Sequence, residues 1–196
     1  MNLLEKIQTE ANKLLASSEI KTSDLVKFLK TIEVSNSDIE EYSLADPKHP
    51  YGRCVLLNDP RLEVMLATWT RDLPCIPHEH GGSKSAIRVL KGQSHHQLFK
   101  IKNQLLIEVF SEKRAQNDIL TCAPKQVHAM GDDGLENPLV TLHAYSGSIP
   151  DMVVYDKKDT LVVKGKCGAW IPEDEQDIVF RKTGHFLRED LDLINS

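Results

Sequence analysis

From Tyr51 to Asp156 the chain is a succession of short runs of β-forming residues broken by turn residues, with no helical pattern between them. The runs are CVLLN, LEVMLATWT, AIRVLKG, SHHQLFKI, NQLLIEVFS, DILTCAP, QVHAMG, LVTLHAYS and DMVVYD. Many short strands at regular spacing without intervening helices indicate an antiparallel sandwich or small barrel. Gly92, Asn103 and the segment Gly131-Asp132-Asp133-Gly134 fall where hairpin turns are expected. No internal repeat is evident.

The flanks differ from this centre. Leu3, Leu4, Ile7, Ala11, Leu14 and Leu15 keep helical spacing up to a break at Ser17-Ser18. A second helix is signalled by Ser23 before Asp24, with Leu25, Phe28, Leu29 and Ile32 on one face. These helices read as a structural cap on the β body, and residues 35–50 as a polar connection with room for one short helical turn. Beyond Lys157, LVVKGK and DIVFRKT each read as a strand, Pro172-Glu173-Asp174-Glu175 as an acidic turn, and residues 185–196 as an amphipathic helix or a loose tail. The expected organisation is a helical segment over 1–50, a barrel over 51–160, and strands or tail over 161–196.

With 196 residues, 40% hydrophobic and 27% charged, the chain has the composition of a single globular domain. A net charge of −5 argues against a nucleic-acid or anionic-membrane surface. No run approaches the roughly 18 apolar residues that a membrane span needs. The N-terminal sequence lacks an apolar signal core, so a cytoplasmic protein with reduced thiols is expected. Cys54, Cys75, Cys122 and Cys167 form no CxxC pair and read as small buried hydrophobes.

The stretch richest in chemistry is Pro77-His78-Glu79-His80. Histidines at i and i+2 share one face of a strand, whereas on a helix they diverge by about 200°. Pro77 favours extended geometry before it, and Gly81-Gly82 ends the segment. The pair is thus placed to grip one metal ion, or to stand as two solvated loop histidines. His128 and His143 lie on strand-like segments as well. Alternation puts Thr141, His143 and Tyr145 on one face, with Val140, Leu142 and Ala144 on the other, so His143 and Tyr145 form a ready hydrogen-bonded pair. His95 and His96 are adjacent on a strand, so at most one faces inward, while His49 and His185 read as surface residues.

These positions together resemble the cysteine dioxygenase family of thiol dioxygenases, which are cupins. His78-Glu79-His80 is followed by four residues, Ser85 at the acidic-ligand position of other cupins, six residues and Gly92. His128 falls on the second-motif ligand. Tyr51-Gly52-Arg53 matches the tyrosine-x-arginine signature, and Trp69 stands nine residues before His78. Thr141-x-His143-x-Tyr145, beginning 13 residues after His128, resembles the Ser-x-His-x-Tyr relay.

The resemblance implies a mainly β cupin barrel with N-terminal helices, and Fe(II) on His78, His80 and His128. It gives Arg53 the substrate carboxylate, with Tyr51 framing it and Trp69 as a supporting wall. Tyr145, His143 and Thr141 become the catalytic relay. The implied reaction joins both atoms of O2 to the sulfur of L-cysteine, forming cysteine sulfinate. 3-Mercaptopropionate or another small thiol carboxylate is the alternative substrate, and a zinc enzyme or small-molecule-binding cupin the alternative class. Arg53 also reads as a surface ion-pair arginine, and the relay as an interior ladder without catalytic work. In animal members a cysteine at the Ser85 position cross-links to the tyrosine, so Tyr145 is expected uncross-linked. A monomer or weak homo-oligomer is expected, with residues 170–196 a candidate lid.

Overall fold

A computed structural model describes residues 1–134 and 137–194. In chain order the first strands are β1 (Tyr51–Asp59), β2 (Leu62–Trp69), β3 (His78–Glu79), β4 (Ser85–Lys91), β5 (Ser94–Lys102) and β6 (Leu105–Arg114). They continue with β7 (Ile119–Cys122), β8 (Val127–Asp132), β9 (Val140–Tyr145), β10 (Asp151–Tyr155), β11 (Asp159–Lys164) and β12 (Ile178–Thr183). All neighbours pair antiparallel, in a five-stranded sheet of order β1-β2-β9-β4-β7 and a seven-stranded sheet of order β12-β11-β10-β3-β8-β5-β6. Connections this short leave no room for the crossover that parallel strands require. The mainly β, antiparallel fold with N-terminal helices expected from the sequence is the one observed.

Two hairpin expectations differ in outcome. Asn103 and Gln104 both take positive φ, 53° and 59°, between β5 and β6, which is the two-residue turn that matches strand twist. The turn expected at Gly131 begins later, because Gly131 and Asp132 still pair with His95 and Ser94 of β5.

Helix α1 (Leu3–Leu15) opens on a capping box in which Asn2 accepts from Glu5 N–H at 2.9 Å and Glu5 accepts from Asn2 N–H at 3.0 Å. Helix α2 (Thr22–Thr31) starts ahead of the expected Ser23 cap. Asp24 reaches back to Lys21 N–H at 3.0 Å, which puts the cap at Lys21, two residues ahead of Ser23. A short α3 (Asn36–Tyr42) fills the polar connection. Leu3, Ile7, Leu25, Phe28 and Leu29 of these helices pack with Val140, Leu142 and Ala144 on the outer face of the five-stranded sheet. The other face of that sheet carries Met65, Ala67, Trp69, Ile87 and Tyr145 into the barrel interior.

Strands β11 and β12 extend the seven-stranded sheet, so LVVKGK and DIVFRKT are strands as read. The C-terminal helix α4 (Arg188–Ile194) packs its Leu191 with Val127, Val153 and Tyr155 on that sheet's outer face, with Phe186 and Leu187 alongside. The lid reading therefore fails for α4. The C-terminal part supplies a wall of the barrel interior instead, through Gly165 and Gly168. Asn195 and Ser196, which the helix-or-tail reading included, lie outside the described residues.

Two surface assignments are corrected. His185 is 8% exposed, accepting from Leu106 N–H at 3.0 Å and donating to the Asp156 carbonyl at 2.7 Å. It ties the C-terminal segment to β6 through partners far away in sequence. His49 is half-buried, 2.8 Å from Asp46 and stacked on Trp170 at 4.5 Å between centroids. Among the described residues no helix is long and apolar enough to cross a membrane.

Candidate metal centre

Pro77 and the pairing of β3 on both sides hold the His-x-His segment extended. His78 lies directly opposite His128 of β8, and Glu79 opposite Val153 of β10. The side chains of His78, His80 and His128 converge inside the barrel, each at most 5% exposed. Their Nε2 atoms meet, with His78 and His128 each 3.2 Å from His80. Three nitrogens bonded at 2.0–2.1 Å to one ion lie about 2.9–3.4 Å apart. This is the spacing of a ligand set.

The opposite ring nitrogens are all engaged. His78 Nδ1–H donates to the Ile76 carbonyl at 2.9 Å, and His80 Nδ1 lies 3.4 Å from Ser85 Oγ. His128 Nδ1 is 3.0 Å from His96 Nε2 and 3.4 Å from Cys122 Sγ. Such supports fix the tautomer and aim the Nε2 lone pair. Burial holds the rings neutral, the form that binds metal. It pushes His78 down to about 4, and His80 and His128 well below the ordinary histidine value. Converging lone pairs repel unless something positive lies between them, so the triad fits a first-row divalent cation.

The residue between the two histidines faces the other way. Glu79 is 1% exposed; its carboxylate accepts from Val153 N–H (3.1 Å), Gly81 N–H (3.1 Å) and Arg188 Nε (2.9 Å). Arg188 also pairs with Asp151 at 2.6 Å. An acid buried this deeply is satisfied only because α4 brings its arginine to β3.

On the five-stranded sheet, alternation along β9 places Thr141, His143 and Tyr145 on the interior face, as the sequence suggested. Thr141 Oγ1 is 2.7 Å from His143 Nε2, and His143 Nδ1 is 2.9 Å from the Tyr145 hydroxyl. Trp69 Nε1–H donates to Thr141 Oγ1 at 2.8 Å. Trp69 is therefore more than the wall expected of it: it heads the chain. Indole N–H only donates, so the buried Thr141 hydroxyl sends its own proton to His143 Nε2. His143 Nδ1–H then donates to the Tyr145 oxygen, and the phenol proton is left for the cavity. Burial, with the nearby Arg53 charge, pushes His143 down to about 3, and burial first among several causes lifts Tyr145 well above the ordinary tyrosine value. Both stay neutral. The Tyr145 ring stands edge-on to His80 at 5.1 Å, so the relay ends at the triad.

Ser85 pairs with Tyr145 on one side and with Cys122 on the other. Cys122 is thus two strands from Tyr145, about 10 Å at the usual strand spacing. Neither side chain can link to the phenol.

Between triad and relay lies a cavity of about 20 Å³, lined among others by His78, His80, Tyr145, Tyr51, Arg53 and Glu63. The Arg53 Nη1–H donates to the Gly165 carbonyl at 2.9 Å, and Nη2 pairs with Glu63. Tyr51 accepts from Ala169 N–H at 3.1 Å through its hydroxyl and packs on Trp69, 4.8 Å between centroids. All nine residues singled out from the sequence are brought to this interior or to its wall. Sequence reasoning missed Glu63, His96, Ser85 as the support of His80, and the Glu79–Arg188 pair. A signal existed for Glu63, which shares the β2 face of Met65, Ala67 and Trp69 by alternation. Arg188 carried none.

Among solved structures, a conserved Klebsiella pneumoniae protein with a double-stranded β-helix domain is similar at 18% identity, over 64% of this chain and 100% of its own, with a TM-score of 0.45. TT1209 from Thermus thermophilus is similar at 13% identity, over 59% of this chain and 97% of its own, with a TM-score of 0.47. The sequence model of one family, described as cysteine dioxygenase type I, matches residues 3–158. That span runs from the first helix through β10, so the chain belongs to the cysteine dioxygenase type I family.

Proposed function

We propose that the protein is an Fe(II)-dependent thiol dioxygenase acting on L-cysteine, in which RSH and O2 give RSO2− and a proton. The sulfur itself supplies the electrons, so no external reductant is needed. The observation that carries this reading is a triad of neutral imidazoles, His78, His80 and His128, of which His78 and His80 line the same cavity as Arg53 and the free phenol of Tyr145. A ferrous ion held by the three Nε2 atoms supplies a centre of undiminished 2+ charge at which a soft thiolate and dioxygen meet.

The remaining work falls to the chain. Arg53 receives the substrate carboxylate on its planar fork, a geometry that lysine cannot reproduce. Tyr145 directs its phenol proton into the cavity, where it donates to the oxygen delivered to sulfur or to the carboxylate. His143 holds the phenol oxygen, Thr141 fixes the His143 tautomer, and Trp69 fixes Thr141. Tyr51 and the buried barrel walls keep bulk water away from these contacts, which strengthens each of them.

The test is aerobic incubation of the iron-loaded protein with L-cysteine. Uptake of one O2 per thiol with cysteine sulfinate as product supports the reading, and no uptake by metal-replete protein overturns it. 3-Mercaptopropionate carries the same carboxylate and is the second substrate to compare. A higher kcat/KM for it than for L-cysteine reassigns the substrate while leaving the reaction class intact.

A further inference from the structure

The carboxylate seat on Arg53 is already taken, by a carboxylate of the protein. Glu63 is 5% exposed and lies on β2 directly opposite Tyr145 of β9. Its Oε1 contacts Arg53 Nη2 alone, while the buried Arg53 Nε–H has no hydrogen-bond partner. The cavity behind the pair, about 20 Å³, has room for roughly one water and none for an amino thiol. In front of it lies an open pocket of about 480 Å³, reached past Asn58, Ser148 and Lys166. The two spaces share Arg53, Glu63, Ile149 and Gly165. The ion pair is the partition between them.

These facts point one way. A carboxylate that reaches Arg53 must displace part of this partition, and of the two charged groups Arg53 is the one also tied to Gly165. Glu63 holds by a single contact. An arriving carboxylate can take Nε–H and Nη2–H together, a two-point grip stronger than the one it replaces. The exchange conserves charge around Arg53, and the released Glu63 faces the open pocket, where water solvates it.

We propose that Glu63 is a specificity-determining residue that occupies the carboxylate seat of Arg53 in the resting protein and yields it to a thiol carboxylate. The inference rests on the thiol-carboxylate reading above. It predicts that Glu63 raises the Kd and KM of carboxylate-bearing ligands and leaves carboxylate-free thiols untouched.

The test measures binding by calorimetry without oxygen, to the iron-loaded wild type, Glu63→Gln and Glu63→Asp. The probes are L-cysteine, 3-mercaptopropionate, cysteamine and propionate. Glu63→Gln is expected to tighten the three carboxylates about tenfold, the worth of removing one charged competitor from the seat. Cysteamine should bind as before. Glu63→Asp, one methylene shorter, keeps the charge in case the neutral variant folds poorly, and should shift the same way by less. Carboxylates that bind no tighter to either variant overturn the proposal. So does weaker binding of L-cysteine and cysteamine with 3-mercaptopropionate unchanged, which would make Glu63 an ammonium site. Propionate separates the two levels of inference. Tighter propionate binding to Glu63→Gln, with no thiol oxidised by the wild type in the aerobic assay above, upholds the seat and sinks the dioxygenase reading.

Discussion

The two sheets face each other across the cavity and carry different kinds of machinery. The seven-stranded sheet brings the three histidines, each supported at Nδ1 by an unrelated partner: a backbone carbonyl for His78, Ser85 for His80 and His96 for His128. The five-stranded sheet brings Trp69, Thr141, His143 and Tyr145, joined end to end. One assembly converges on a point and the other runs along a line. In a convergent set each member is indispensable to the same ion, whereas in a chain a member's influence declines with its distance from the end that acts. Substitutions ranked by their effect on turnover should reveal this difference.

The largest effect belongs to the triad. His80→Ala removes the ligand nearest both other Nε2 atoms, and two imidazoles do not replace three with an open position. Bound iron per chain should fall to near zero and turnover by more than about a thousandfold. Metal analysis after desalting, beside the oxygen-uptake rate, checks both. A His80→Ala protein that retains stoichiometric iron breaks the comparison, because the set would then not act as a unit.

Next comes the acting end of the chain. Tyr145→Phe keeps the ring against His80 and deletes only the hydroxyl, so iron content should remain at the wild-type level while kcat drops by about a hundredfold, the range of a lost proton donor. A fall in iron affinity equal to the fall in kcat would place Tyr145 in the metal assembly and erase the distinction between the sheets. His96→Leu reverses the pattern on the opposite sheet. It removes the partner of His128 Nδ1 without touching the cavity, and should weaken iron binding by about tenfold, with kcat at saturating iron changed little.

The difference between the assemblies also explains what the sequence revealed. The relay is local: Thr141, His143 and Tyr145 lie on one strand, so period-2 alternation alone aligned them. His78 and His80 were legible for the same reason, once Pro77 argued for an extended segment. His128 needed the family's spacing, since nothing local to it distinguishes a ligand from a core histidine. The supports are non-local, and there the reading ran out. Adjacency said that only one of His95 and His96 faces inward, but not that His96 meets His128 across strands β5 and β8. Nothing local to Glu79 marks its partner, since Arg188 comes from 109 residues away. Arg53 was read as open for a carboxylate because its occupant, Glu63, sits on the neighbouring strand, where register decides contact. The β architecture was legible for a simpler reason, since strand length and turn residues are written in the chain itself, while the covering of the seven-stranded sheet by α4 depends on that fold already being in place.

The far end of the relay should give a small effect on turnover and the most informative one. Thr141→Val has nearly the volume of threonine and lacks the hydroxyl that joins Trp69 to His143. Two buried groups lose their partner, the Trp69 N–H and His143 Nε2, at a cost of about 1–3 kcal/mol of stability each. The phenol of Tyr145 keeps its direct contact with His143, so catalysis suffers only through a looser ring. We expect kcat to fall by about threefold, since a group acting through two others transmits a small part of its own loss. Iron content should not change, and thermal unfolding should drop by several degrees. Thr141→Ser restores the hydroxyl and should recover most of kcat, which a purely volumetric role for Thr141 would not allow. A Thr141→Val loss as large as that of Tyr145→Phe, uncorrected by serine, would mean that the line behaves as a point and that the two sheets work alike.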